Sequence, residues 1–197
     1  MIVHSIKAAL ALLALTGAAH AADPDWPCNQ PLVPHLSLGQ VWAGPQPDDA
    51  ITALSKTPQV QEVARILALR RTSLEQAEIL ITDYAKTSDV AGLTALYLAA
   101  FDHINKSRDR VVAGIARYAH KQASLDATIK EKRHEFARLS AAAAPDFDAI
   151  DAAERDIDWS TRIFVDRQQS LTYVCETPVI LEQRAFALGR AVMNHLP

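Results

Sequence analysis

A long heptad repeat between Asp89 and Ala144 constrains the fold of this chain more than any other feature. At a rise of about 1.5 Å per residue, this segment predicts a helical rod of roughly 75 Å. Apolar and aromatic residues recur along it at alternating steps of four and three, a spacing typical of a coiled-coil seam. The seam positions are Tyr97, Phe101, Ile104, Arg108, Val111, Ile115, Tyr118, Gln122, Leu125, Ile129, Lys132, Phe136 and Leu139.

A second segment with the same spacing follows the rod and predicts a hairpin. Pro145 and Asp146 can end one helix and begin another. Beyond them the heptad positions are Phe147, Ile150, Ile157, Phe164, Leu171 and Cys175. We therefore expect an antiparallel coiled-coil hairpin over about residues 89–176, with its tip near residues 141–148.

The charges near the predicted tip favour this fold-back. The outgoing arm carries the basic residues Lys130, Lys132, Arg133 and Arg138. The returning arm carries the acidic residues Asp146, Asp148, Asp151, Glu154, Asp156 and Asp158. Such charges set the partner and orientation of coiled-coil helices, although exposed ion pairs contribute only about 0–1 kcal/mol each. The sequence thus predicts ion pairs across the seam.

Helix signals on both sides of the hairpin complete an all-α fold. Pro58 fits the first position of one helix, and Ser73 with Gln76 forms a capping-box start for the next. Pro178 predicts a kink or a restart in the returning helix, followed by a final amphipathic helix. We expect a single helical domain over residues 48–197, built as a bundle with a protruding hairpin.

The segment at residues 22–47 has a different composition from the helical body. It holds most of the ten prolines of the chain, at Pro24, Pro27, Pro31, Pro34, Pro45 and Pro47. Proline at this density excludes helix and sheet interiors, yet Trp26 and Trp42 make the segment too apolar for a linker. We expect an extended N-terminal arm laid over the helices. Packing accounts for the two tryptophans, and the alternative is that they line a ligand or partner site.

The first 21 residues resemble a cleaved export signal in their layout. Lys7 supplies a positive charge, residues 8–15 are apolar, and Ala19 and Ala21 fit a signal-peptidase site. The apolar run is shorter than the ~20 residues that span a bilayer, and no later run is longer. We therefore expect a periplasmic chain without a transmembrane segment, cleaved after Ala21.

The two cysteines of the chain, Cys28 and Cys175, are predicted to form a disulfide. An exported chain meets an oxidising compartment, where a pair of structural thiols is rarely left free. In the loop-entropy treatment, a disulfide that closes a loop this long stabilises the folded chain by about 5 kcal/mol at most. The alternative, a redox or metal-binding thiol pair, lacks a Cys-x-x-Cys spacing or a nearby histidine.

Composition and motifs exclude several classes of function. The net charge is −3 at pH 7, which is poorly suited to binding nucleic acid. The sequence has no glycine-rich phosphate loop, no Gly-x-Ser-x-Gly elbow and no His-Glu-x-x-His pair. We therefore predict that the protein is not an enzyme and carries no cofactor.

Two weak metal-binding patterns lie near the hairpin tip. Glu131 and His134 have the Glu-x-x-His spacing that di-iron bundles use in duplicate, but the second copy is missing. Asp146, Asp148 and Asp151 resemble part of a calcium loop without its glycine and its terminal glutamate. We assign no metal site to either pattern, because solvated and helix-capping side chains account for both.

These features favour a soluble periplasmic interaction module: an adaptor, a scaffold or an envelope-stress accessory protein. Its partner is expected to be another envelope protein or a second copy of the chain. The candidate binding residues are Trp26 and Trp42 in the arm, and Arg138 and Phe147 at the tip. The alternative function is a periplasmic carrier of a small ligand or a metal ion.

Overall fold

The computed structural model describes residues 25–197, which form six α-helices and no strand. The predicted signal peptide lies outside the described residues. The helices are α1 (Leu38–Val41), α2 (Asp49–Leu54), α3 (Pro58–Ala68), α4 (Leu74–Ala85), α5 (Val90–Ser140) and α6 (Phe147–Met193). The all-α prediction is confirmed.

The long helices α5 and α6 pack against each other as the predicted hairpin. Every heptad position of α5 is buried or half-buried, from Tyr97 at the base to Leu139 near the tip. Asp89 caps α5 by accepting a hydrogen bond from the Gly92 amide at 2.8 Å. Asp146 caps α6 by accepting bonds from the amides of Asp148 and Ala149, both at 3.1 Å. These acidic caps fix where the two arms of the hairpin begin.

Two details of the returning arm differ from expectation. Phe147, predicted to open the second seam, is exposed because it begins α6 beyond the last seam residue of α5, Leu139. Pro178 does not interrupt α6, which stays helical to Met193. Proline removes one backbone donor, but Pro178 is itself buried, and its packing holds the helix together across the missing hydrogen bond.

The charges at the tip pair differently from the sequence prediction. Lys132 bridges the two helices, with its Nζ 3.1 Å from Asp156 and 2.9 Å from the Ser160 hydroxyl. Lys130 and Arg138 instead pair along α5, with Asp126 at 2.7 Å and Glu135 at 2.6 Å. The prediction of cross-seam pairs is therefore correct for Lys132 and wrong for Lys130 and Arg138, because a carboxylate one helical turn away lies within easy reach.

The four short helices cover the base of the hairpin. α2 and α3 pack on α5, whereas α1 and α4 pack on α6. Proline occupies the first turn of α3, and the Ser73–Gln76 capping box begins α4, both as predicted. The core at this end is fully buried and consists mainly of aliphatic side chains: Leu67, Ile81, Leu96, Ile104, Leu188 and Val192.

The arm runs over the base of the hairpin. It contains one helical turn, α1, where the sequence predicts an extended chain. Its four residues lie between Pro34 and Pro45, so proline does not oppose helix there. The Ser37 amide donates to the Gln40 Oε1 at 2.7 Å, and the Gln40 amide donates to the Ser37 carbonyl at 3.1 Å. This Ser-x-x-Gln signal was the missed indication of a helix start.

Candidate functional site

A disulfide between Cys28 and Cys175 joins the arm to α6, with the two Cα atoms 5.6 Å apart. The bond lies in a small apolar cluster formed by Trp26, Ile115 and Leu171. The predicted pairing is confirmed, and it fixes the start of the arm on the hairpin.

Polar side chains of α5 hold the next part of the arm. The buried Arg108 donates from Nη2 to the Val33 carbonyl at 2.6 Å, and Asn105 donates to the Leu36 carbonyl at 3.2 Å. The side chain of Arg108 is only 2% exposed. The polar side chain of Arg108 in the apolar seam therefore binds the arm backbone.

The end of the arm is anchored by a stacked aromatic pair. The rings of Trp42 and Tyr97 lie 4.4 Å apart between centroids, and the Trp42 indole donates to the Pro45 carbonyl at 2.8 Å. The Tyr97 hydroxyl lies 3.1 Å from the carbonyl oxygens of both Val41 and Ala185, one on the arm and one on α6. Burial raises the pKa of Tyr97, so this hydroxyl stays protonated as a donor.

Gly189 lets the arm approach α6 closely. A methyl group at this position would lie 2.7 Å from the Val41 carbonyl oxygen and 3.2 Å from the Tyr97 ring. Backbone oxygen cannot move aside as a flexible side chain can, so the contact requires glycine.

Between the anchored arm and α6 lies an apolar groove of about 590 Å³, which we call the arm groove. Its lining residues are Gln30, Pro31, Val33, Gln40, Val41, Val179, Glu182, Gln183 and Phe186. Glu182 is the one charged residue among them. The half-exposed Phe186 ring is covered on one side by Arg190, whose guanidinium carbon lies 4.6 Å from the ring centroid.

The lining of the arm groove contains one ionisable side chain, that of Glu182, and no histidine, cysteine, serine or lysine. His103, on α5, has a pKa lowered by burial and by the nearby charge of Lys106, and its Nε2 lies 2.9 Å from the Gln61 Oε1. Its interactions are those of a packed, neutral histidine.

The described residues offer neither a clustered metal site nor a membrane-spanning helix. Within residues 25–197, His, Cys, Asp and Glu side chains form no group of three or more that could hold a metal ion. Asp146, from one of the weak metal patterns, is engaged in capping α6. None of the helices in that part of the chain combines the length and hydropathy needed to cross a bilayer.

The four predicted binding residues fall in two distant regions. Trp26 and Trp42 are buried and anchor the arm, so in this conformation they support the groove and do not line it. Arg138 and Phe147 are exposed at the tip, where Arg138 pairs with Glu135 and its hydrogen bond lowers the pKa of that carboxyl. The binding roles of all four stay predictions.

Sequence reasoning missed Phe186, the main aromatic of the arm groove. The core-facing residues of the predicted final amphipathic helix include Leu181, Ala185 and Leu188, which are buried. Phe186 falls outside that apolar face, and a large aromatic outside the core face was the available signal.

Comparisons with models of protein families, with curated proteins and with solved structures gave no significant match to this chain.

Proposed function

We propose that this protein is an exported, non-catalytic interaction module of the periplasm that binds an apolar segment of another envelope protein in the arm groove. The observation that carries the proposal is the groove itself. It presents apolar side chains from two elements, the arm and α6. A disulfide joins the arm to α6, and Arg108 and Tyr97 of α5 hold the arm at two further points.

Export is supported by two independent features. The first 21 residues have the layout of a signal peptide, and the chain forms a disulfide of the kind that persists in oxidising compartments. A periplasmic site of action follows from the short Ala- and Leu-rich leader, which is typical of bacterial export signals.

The chemistry of the groove specifies its occupant. Val33, Val179 and Phe186 offer an apolar surface, and Glu182 adds a negative charge to the lining. The complementary segment is apolar and carries a lysine or arginine positioned to reach Glu182. A large aromatic side chain among polar residues is typical of a binding hot spot.

A small-ligand carrier is the second function that the groove supports. Its volume falls within the ~300–1,000 Å³ of ligand pockets. However, the groove is open along one side, so it would leave much of a small molecule exposed, whereas a polypeptide can cover the opening. A ligand retained by the protein in native mass spectrometry would favour the carrier.

Photo-crosslinking in the living cell tests the proposal. A photoreactive phenylalanine analogue replaces Phe186 in the groove, Phe147 at the tip, or Ile79, an exposed residue of α4, as the matched control. We expect Phe186 to give a crosslink to one periplasmic protein, at an apolar segment with a basic residue. Equal labelling from positions 186 and 79 would refute the arm groove as the binding site. A specific crosslink from position 147 alone would place the binding site at the tip.

A further inference from the structure

A line of large apolar side chains runs along the outward face of α6, away from the seam with α5. Trp159, Tyr173 and Ile180 are separated by two heptads and one heptad, so they lie on one side of the helix. They are 63%, 77% and 39% exposed, respectively, whereas Leu171 on the seam side is buried. Asp166 occupies the heptad position between Trp159 and Tyr173, so the face is mixed, but large aromatic side chains this exposed on one face of a helix indicate a contact surface.

Charged and amide side chains complete this surface, which we call the α6 stripe. Arg162, Asp166, Gln169 and Glu176 are exposed at the intervening positions of the same face. In the part of the chain that the structure describes, neither Arg162 nor Glu176 belongs to an ion pair. Tryptophan, tyrosine and arginine are the residues most enriched at binding hot spots.

We propose that the α6 stripe binds the α6 stripe of a second copy of this protein, in an antiparallel arrangement with the two-fold axis near Gln169. Charge decides both the occupant and the orientation. A parallel pair would place Arg162 against Arg162 and Glu176 against Glu176. The antiparallel pair places Arg162 of each copy opposite Glu176 of the other, because both lie seven residues from Gln169, and Tyr173 lies about one helical turn from Glu176 on the same face.

Such a pairing is self-complementary, as a two-fold interface requires. Each Arg162 gains a carboxylate and an aromatic face, and each Trp159 is covered by the outer surface of the partner helix. None of Trp159, Arg162, Tyr173 and Glu176 lines the arm groove, so the dimer does not depend on the proposed function, and the two proposals can fail separately.

Analytical ultracentrifugation of the mature chain over a dilution series from about 0.1 mM to about 1 µM measures the Kd of the dimer, because a pair with a micromolar Kd is almost fully formed at the upper concentration and dissociates at the lower. We expect a dimer for the wild type. Arg162→Glu and Glu176→Arg are each expected to weaken it at least tenfold, and the double swap, Arg162→Glu with Glu176→Arg, to restore it. Trp159→Ala is expected to weaken it to a similar extent, and Ile79→Ala on α4 to leave it unchanged.

A monomeric wild type at the upper concentration would overturn the proposal, as would a double swap that dimerises no better than the single variants. All substituted residues are exposed, so circular dichroism should show the same helix content in every variant. A helical variant that fails to dimerise then reports on the interface and not on folding.

The orientation is tested by the distance between two spin labels. The chain has no free cysteine among the described residues, so Glu154→Cys gives a single labelling site. In the antiparallel pair, the two labels lie on opposite sides of the axis, about 45 Å apart along the helices. A separation near 10 Å, the spacing of adjacent helices, would show a parallel pair and contradict the proposal.

Discussion

Cys28 and Cys175 are bonded although 147 residues separate them, so a single covalent link closes a loop around nearly all of the described chain. The link joins the arm near Trp26 to α6, next to the apolar cluster of Trp26, Ile115 and Leu171. One wall of the arm groove is therefore tied to the helix that forms the other wall.

The first prediction concerns this link. Replacing both cysteines, Cys28→Ser with Cys175→Ser, is expected to lower the free energy of unfolding by up to about 5 kcal/mol, because the unfolded chain regains the entropy of an open loop. Urea unfolding with and without reductant measures the effect. Reductant should destabilise the wild type and leave the double variant unchanged; equal sensitivity of the two proteins would contradict the prediction.

The second prediction compares two glycines on the long helices. Gly189→Ala is expected to destabilise the protein by about 1–3 kcal/mol, because the new methyl group would collide with the Val41 carbonyl. Gly114→Ala is the matched control. There the nearest atom is the flexible end of Arg117, 3.9 Å away, so alanine should stabilise the helix by about 0.5–1 kcal/mol. Thermal unfolding of both variants checks the opposite signs.

The third prediction concerns the Tyr97 hydroxyl. Tyr97→Phe removes a buried donor shared by the Val41 and Ala185 carbonyls. It is expected to lower the free energy of unfolding by about 1–3 kcal/mol near neutral pH. Tyr118→Phe, which changes a partly exposed tyrosine, is the control.

We also expect Tyr97→Phe to change how the free energy of unfolding depends on pH in the alkaline range. Burial raises the pKa of Tyr97 in the folded chain above the ordinary value of about 10. Above about pH 10, the unfolded chain loses this proton while the folded chain retains it, so stability falls as pH rises. The stability of Tyr97→Phe should fall less steeply over that range than the stability of the wild type. An equal fall in the stability of the two proteins would show that Tyr97 does not contribute to alkaline unfolding.

A fourth prediction concerns the polar seam residue Gln122. Its Nε2 donates to the Phe164 carbonyl at 3.1 Å, whereas its buried Oε1 has no hydrogen-bond partner among residues 25–197. Gln122→Leu is expected to raise the free energy of unfolding by about 1 kcal/mol, because it fills a seam position with an apolar side chain and removes an unpaired acceptor. A less stable variant would show that the amide is needed to fix the register of the hairpin.

Much of the fold could be predicted because heptad spacing and helix caps are local signals. The positions from Tyr97 to Leu139 specify one face of α5, and a packing partner for that face was available in the returning segment. The cysteine pairing followed from composition, since the chain has only two cysteines.

The arm groove could not be predicted because it depends on contacts between residues distant in sequence. Arg108 appeared only as a polar break in the seam, and nothing near it in sequence indicates that it binds the Val33 carbonyl. The groove also needs Gly189 and Tyr97 to bring Val41 against α6. Continuity through Pro178 was missed for the same reason, because tertiary packing of a buried proline outweighs its local effect on the helix.

The most direct test of the account is the affinity of the arm groove for the segment that Phe186 captures. That segment, made as a synthetic peptide, is titrated calorimetrically into the mature protein and its variants. We predict that Phe186→Ala weakens binding at least tenfold, that Glu182→Gln weakens it less and reduces its salt dependence, and that Ile79→Ala has no effect. Equal affinities for the wild type and Phe186→Ala would contradict the claim that the groove between the arm and α6 is the binding site.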